Sequence, residues 1–419
     1  MIYKSMSLFC LQALLVLSGC GSGRKSLSEP VAPAPTRDGR WIQDIDYVAT
    51  NLERIHPKVY ANVSKDQFQA FRGKLIDDVP ELSDKEIVIR MAEMLALLQD
   101  AHTSIPLKND ARFDRLPIEF IADSEGYKLV AVPKVHEKLL LGKLEAIGET
   151  RIDDVVSRLG RFISAENEIH RFRSAKYLLR APSILKAAGI CEEEFLVKYT
   201  LRSTDGELHQ IQLQLDESPP ELSSIKVEQP RLVEKYSREH YAFEVLEDPK
   251  VVYWQYNVCY EQDGKPFKEF SKQLSVALEA PEVERLIIDL RANGGGSELV
   301  ARSFLQRLSQ HRLNRRGGII VLIGANTFSC AKGNFLTLRD SSQIVSMGQP
   351  MRQSANTFGE VIDFNTPNYN LPVRFSTKHF VRGSETERVI RPEFEIPFRI
   401  EDWMIGQDKT LQAAIEFQP

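Results

Sequence analysis

A serine, a histidine and a run of glycines are the residues in this chain whose settings suit chemistry. Ser329 lies in Gly324-Ala325-Asn326-Thr327-Phe328-Ser329-Cys330-Ala331, after the apolar run Ile319–Ile323 and before a segment that reads as helix through Arg339. Five apolar residues without a polar break read as a buried strand. A serine where a strand becomes a helix projects its hydroxyl from a tight turn. The N–H of the next residue, Cys330, is then one of the unpaired donors at a helix N-terminus. A donor so placed is suited to hold a developing oxyanion. An isolated serine before a helix is ordinarily an N-cap. The second turn changes that weighing: the apolar run 286–290 leads into Arg291-Ala292-Asn293-Gly294-Gly295-Gly296, then a helical pattern over 297–308. Consecutive glycines let backbone N–H groups face a ligand with no Cβ in the way.

His102 is the third candidate, in Gln99-Asp100-Ala101-His102-Thr103-Ser104. A lone histidine in a loop is usually a hydrogen-bonded surface residue. The other seven histidines lie in no comparable setting.

Asp289-Leu290-Arg291-x-Asn293-x-Gly295-Gly296, followed by the small-residue turn at Ser329, resembles the C-terminal processing (tail-specific) serine peptidase family, over roughly 41–419. That family includes the tricorn core peptidase and the interphotoreceptor retinoid-binding proteins. The resemblance implies that Ser329 is the nucleophile and that the N–H groups of Gly295 and Cys330 form the oxyanion hole. Asp-x-His-Thr looks like the segment that supplies the base in tricorn-like members, which makes His102 the base. Arg291 and Asn293 are expected to brace the glycine turn. Residues 348–360 are similar to the family's Gly-x-Pro-Thr-Phe-Gly region, with one departure. Lysine-dependent members carry their base 25 residues after the nucleophile, where this chain has Ser354, and no lysine occurs between Lys332 and Lys378. The histidine-dependent branch is therefore expected. Tricorn-like members also carry a carboxylate near 58 residues after the nucleophile, a spacing that lands on Glu387. Glu385, Glu360 and Asp100 are the other acceptors weighed for the second imidazole nitrogen, which must be held if the right tautomer is to face the serine.

The expected activity is a serine-type peptidase that acts on proteins or peptides, with no cofactor and no metal. The rival is a non-catalytic ligand- or peptide-binding protein on the same fold, since function belongs to sites. A third reading takes Cys330 as nucleophile, because a thiolate at a helix N-terminus is activated.

At 419 residues the chain has room for two or three domains. A net charge of -4 gives no reason to expect nucleic acid. The N-terminus reads as a signal: Lys4, an apolar run over 8–17, then Leu17-Ser18-Gly19-Cys20, which resembles a bacterial lipobox. This implies cleavage before Cys20 and acylation of Cys20, so that lipid holds the protein on a membrane. Gly21 at the next position favours the outer membrane, with the body in the periplasm. Residues 20–37 are small, polar and proline-rich and read as a flexible tether. Among the five cysteines there is no zinc or disulfide framework, and a single Cys191–Cys259 bridge stays open.

The elements that must position these groups follow in order. Residues 38–110 read as a helical domain, with capping boxes at Ser64-x-x-Gln67 and Ser83-x-x-Glu86. Residues 111–218 read as strand-rich, with a hairpin across Asp205-Gly206, and resemble an inserted PDZ-like domain. The glycine-containing loop that binds carboxylates in such domains is not evident, so a purely structural sheet is an equal reading. Residues 219–419 alternate strand and helix, as an α/β core of the crotonase-like kind that the resemblance implies. Ligands in such sheets sit at the carboxyl ends of strands, where both turns fall.

Overall fold

The structure, a computed structural model, describes residues 26–419 except 217, 219, 229–230 and 247–249. The expected signal peptide over 1–19 and the expected lipid attachment site Cys20 lie outside the described residues. The described part of the tether is not free: Ser28 N donates to Asn51 at 2.7 Å, Ala34 N donates to Gln43 at 2.9 Å, and Leu27 packs on the core.

Three helices follow, Arg37–Ile55, Lys65–Asp78 and Asp84–Ala96. Both capping boxes form, with Ser64 accepting from Gln67 N and Ser83 from Glu86 N. Each satisfies two of the donors that a helix start leaves orphaned. The third helix buries Ile87, Met91, Met94 and Leu95. Its chain leaves through Gln99, at a positive φ of 51°, into the loop that carries His102.

The middle of the chain forms a seven-stranded antiparallel sheet with path 119–123, 126–133, 143–147, 196–202 and 208–214, to which 150–151 and 222–224 add. Helices Ile152–Gly160, Glu168–Ala175 and Pro182–Ala187 lie between its strands in sequence. One continuous core joins the three N-terminal helices, this sheet, and Leu371, Val373 and Phe375 from far downstream.

The C-terminal part is built on a six-stranded sheet in the order Phe394–Glu395, Val345–Gly348, Ile319–Ile323, Arg285–Asp289, Val251–Tyr256, Tyr241–Leu246. The first five are parallel, and the last is antiparallel to its neighbour. The four inner strands bury nearly every residue, as strands covered on both faces must. Consecutive strands are neighbours, the arrangement that short crossovers give.

Two departures bear on the site. The helix expected over 297–308 begins only at Arg302. Gly296 is paired with Cys259, and Ser297 N donates to Cys259 O at 2.7 Å, so those residues stay in the loop. The hairpin Thr357–Asn365 and Pro372–Phe380, not anticipated, runs back to the N-terminal part: Ser104 and Arg374 exchange two backbone hydrogen bonds, each 3.0 Å. Cys191 and Cys259 are both free, Cys259 being wholly buried against Asn293.

Candidate active site

Ser329 stands immediately before helix Cys330–Ser341 with φ 55° and ψ −122°. A non-glycine residue held there costs roughly 1–3 kcal/mol and persists only where its surroundings over-determine it. The surroundings do so. Ser329 N donates to Gln353 Oε1, Phe328 N donates to Asn293 O at 3.0 Å, and Thr327 Oγ1 donates to Leu290 O at 2.8 Å. The two turns foreseen from sequence are thus tied to each other. The Ser329 side chain caps nothing, which leaves its hydroxyl free for a partner.

That partner is His102, whose Nε2 lies 3.2 Å from Ser329 Oγ across 227 residues of chain. The imidazole packs on Phe328, centroids 4.8 Å apart, and the backbone of Gly359 closes in behind it. The loop is fixed by Asp100, which is fully buried. Its Oδ1 accepts from His102 N at 2.9 Å; its Oδ2 accepts from Thr103 Oγ1 at 2.5 Å and Ser376 Oγ at 2.6 Å, and lies 3.3 Å from His56 Nε2. Asp100 therefore holds the backbone of His102.

Burial pushes His102 down to about 4, with Asp100 opposing and Lys332 and Arg374 adding to the fall. The imidazole is neutral near pH 7, as a base must be. Its Nδ1 is buried without a hydrogen-bond partner among the described residues, although the Phe358 backbone favours the charged ring.

Glu387 is not the group that holds it. Its carboxylate is clamped by Arg339 through two hydrogen bonds, the longer 3.1 Å, and the pair is part-exposed. A guanidinium offering a planar fork competes for a carboxylate better than one ring N–H does. The carboxylate that does lie near is Glu166, which sequence reading passed over. One atom each of Asp100, His102 and Glu166 fall within 4.8 Å of one another, a separation that a bridging water spans. Such a trio is also of a kind that holds metal ions, but its carboxylate oxygens already accept protein hydrogen bonds. Glu166 accepts from Thr357 Oγ1 at 2.5 Å, Gln353 Nε2 at 3.1 Å and Ser354 N at 2.8 Å, and burial raises it to about 7. Gln353 thus links Glu166 to the backbone of Ser329.

The oxyanion donors also need correcting. Gly295 N donates to Asn293 Oδ1 at 2.9 Å and is not available. The residue still has to be glycine: at φ 109°, its Cβ would stand 2.7 Å from that of Ser329. Among the described residues no acceptor takes the N–H of Gly296 or Cys330, and both residues line the cleft with Ser329. Asn293 and Arg291 do brace the turn. Asn293 Nδ2 donates to Tyr256 O at 2.9 Å, and Arg291 pairs with Asp289 at 2.6 Å and Asp408 at 2.7 Å. The Cys330 thiol donates to Gly296 O, and burial raises its pKa, so it lacks thiolate character.

Lys332, one helical turn beyond Ser329, is buried and lowered by burial to about 8. Its Nζ donates to Ser354 O and Ala355 O, each 3.1 Å, rather than to the serine. The Ser-x-x-Lys spacing was the available signal for it. These residues face a cleft of about 1190 Å³ bounded on its far side by the Thr357–Phe380 hairpin.

No family model matches the sequence, and no curated protein does. Solved structures match in fold. Mature CPAF superposes with a TM-score of 0.59 at 14% identity, covering 90% of this chain and 98% of that one. A serine-to-alanine mutant of CPAF gives 0.59 at 13%, covering 91% and 99%. Mature CPAF complexed with lactacystin gives 0.56 at 13%, covering 88% and 95%. At these identities the likeness is one of fold.

Proposed function

We propose that this protein is a serine-type peptidase of the C-terminal processing kind, in its histidine-dependent branch. The observation that carries the proposal is the 3.2 Å approach of His102 Nε2 to Ser329 Oγ at a strained turn facing a large cleft. The motif resemblance and the shared fold of CPAF support it.

Ser329 Oγ attacks the scissile carbonyl while His102 Nε2 takes its proton, and the N–H groups of Cys330 and Gly296 receive the oxyanion. His102 then gives the proton to the leaving amine, and the acyl group remains on Ser329 until water, activated by the same imidazole, releases it. The imidazolium that forms in each half-reaction is met by the charges of Asp100 and Glu166. The core is read as crotonase-like, the middle sheet as PDZ-like, and the domains as 38–110, 111–218 and 219–419. The body works in the periplasm on protein or peptide substrates, held to the outer membrane through a lipid on Cys20. Among the described residues, no helix is long and apolar enough to cross a membrane.

The test is labelling with a fluorophosphonate probe. Wild-type protein labels at Ser329, and Ser329→Ala does not label and loses turnover by about 10³-fold to 10⁶-fold. An unlabelled wild type that still binds peptide is instead the binding protein that the same fold can support.

A further inference from the structure

One buried cation on the nucleophile helix takes no part in the proton transfers. Lys332 is 2% exposed and stands three residues after Ser329. Its Nζ donates to Ser354 O and Ala355 O, each 3.1 Å, and no carboxylate is in ion-pair contact with it among the described residues. Burying an ammonium on neutral acceptors is costly, and an unbranched apolar side chain would fill the same space without that cost. The segment it grips is the one that sets the nucleophile. Ser354 is held at both its backbone groups: its C=O takes Lys332 Nζ, and its N–H goes to Glu166 Oε2 at 2.8 Å. The preceding Gln353 accepts from Ser329 N through Oε1 and donates through Nε2 to Glu166 Oε1 at 3.1 Å. Lys332, Ser354, Glu166 and Gln353 thus close a chain of contacts that returns to the backbone of Ser329, where φ is 55°.

Charge follows the same path. The ionisable groups that act on Lys332 are Glu166, Glu298, Arg382 and Cys330. Glu298 is already paired with Arg382 at 2.5 Å and Arg302 at 3.3 Å, and the Cys330 thiol is neutral. Glu166 accepts only from the neutral donors of Thr357, Gln353 and Ser354, and the charges that act on it are Lys332 and Asp100. A buried carboxylate with no cation in contact and a buried ammonium with no anion in contact are therefore joined through the backbone of Ser354. Lys332 is the charge that most opposes the effect of burial on Glu166, and Glu166 is the one that most opposes it on Lys332.

We propose that Lys332 is a positioning residue of this centre: its ammonium fixes the carbonyls of Ser354 and Ala355 behind the nucleophile turn and is the counter-ion of the Glu166 carboxylate near His102. Its effect on rate rests on the peptidase reading of the cleft, whereas the pairing of the two charges does not.

Infrared difference titration of the full-length protein tests this without substrate, with Glu166→Gln identifying the carboxyl band. In wild type the Glu166 carboxyl titrates near pH 7, and in Lys332→Met the midpoint moves up by about one pH unit or more, because the carboxylate has lost its counter-ion. The upper limb of kcat/KM moves with it, a loss of about fivefold at pH 7 that is carried by kcat with KM unchanged. A lysine that merely fills space or holds carbonyls would instead lower activity evenly across the pH range. An unmoved midpoint, or an even loss with the limb in place, overturns the proposal. Glu166→Gln, which changes charge and not shape, reads the same coupling from the other side: NMR of the lysine ε-carbon should show Lys332 losing its proton below the wild-type value of about 8. An unchanged value there also overturns the proposal, so a Lys332→Met chain that fails to fold does not shield it. A wild type that fails to label with fluorophosphonate refutes the peptidase reading, while both titrations still decide the pairing.

Discussion

Burial moves the proton affinity of His102 against its use as a base, because an imidazole held near 4 is a weak acceptor. The neighbouring carboxylates decide whether it becomes strong enough during reaction. Asp100 is ionised, with its pKa lowered despite burial by His56, Ser376 and Thr103. Glu166, raised to about 7, changes charge in the working range. Protonated, it does nothing for an imidazolium; ionised, its charge stabilises one close by. The kcat/KM profile of a neutral substrate should therefore rise twice, near pH 4 as His102 loses its proton and near pH 7 as Glu166 loses its own. Glu166→Gln should abolish the upper limb, lower kcat by about 10-fold to 100-fold and leave KM nearly unchanged. A single limb at pH 6–7 that survives Glu166→Gln would restore an ordinary histidine and refute this assignment. Glu387→Gln should leave kcat intact and cost at most about 1 kcal/mol in urea unfolding, since its pair with Arg339 is partly exposed.

Ser329, the glycine turn and His102 were legible because each is a local pattern, a buried strand broken by small residues or a helix end running into Asp-x-His-Thr. Glu166 and Gln353 were not, for they stand in irregular segments where no periodicity marks them, and only the tertiary fold brings them to the serine. Glu387 shows the opposite failure: a spacing taken from proteins the sequence resembles could not show that Arg339 would claim the carboxylate. The loss of Gly295 as a donor was open to local reasoning, because an asparagine side chain readily takes the N–H two residues on.

Among the elements, the hairpin Thr357–Phe380 does the most to bring the parts together. It accepts the loop of His102 through Ser104, supplies Ser376 to Asp100, and backs the imidazole with Gly359. Its first strand was missed because buried and exposed residues do not alternate cleanly there: Thr357, Phe358 and Gly359 are buried in succession before the pattern opens. Asp100 is the joint between hairpin and helix end. Asp100→Ala strips four donors of one buried acceptor and should destabilise the protein by about 3–5 kcal/mol in urea unfolding. It should also slow fluorophosphonate labelling by more than that loss of folded protein explains. Wild-type labelling in a folded Asp100→Ala variant would show that the loop holds its place without the carboxylate.

Across the whole molecule, burial of titratable groups gives stability a pH dependence with a definite sign. His102 and His170, lowered to about 4 and about 3, bind fewer protons when folded than their unfolded value near 6.5 allows. Stability therefore falls as pH drops from about 6.5 towards 4, because the unfolded chain takes up protons that the folded one refuses. Glu166 runs the other way between about 4.5 and 7, since its raised carboxyl holds a proton in the folded state that the unfolded state has lost. The raised Glu93 and Asp123 act with Glu166, and the lowered Asp100 and Asp408 act with the two histidines, so Tm should decline below pH 6.5, and more steeply below about 4.5 where the Glu166 offset ends. His170→Phe should flatten the decline; an unchanged slope would assign it to other groups.

The 227-residue separation of His102 and Ser329 carries a consequence for biosynthesis. A ribosome makes His102 first and Ser329 late, and Gln353 and the hairpin later still. A nascent or half-folded chain thus contains no cutting centre, and its exposed neighbours run no risk from it. In a refolding experiment, fluorophosphonate reactivity should return with the slowest phase of tertiary assembly and lag behind the recovery of far-ultraviolet circular dichroism.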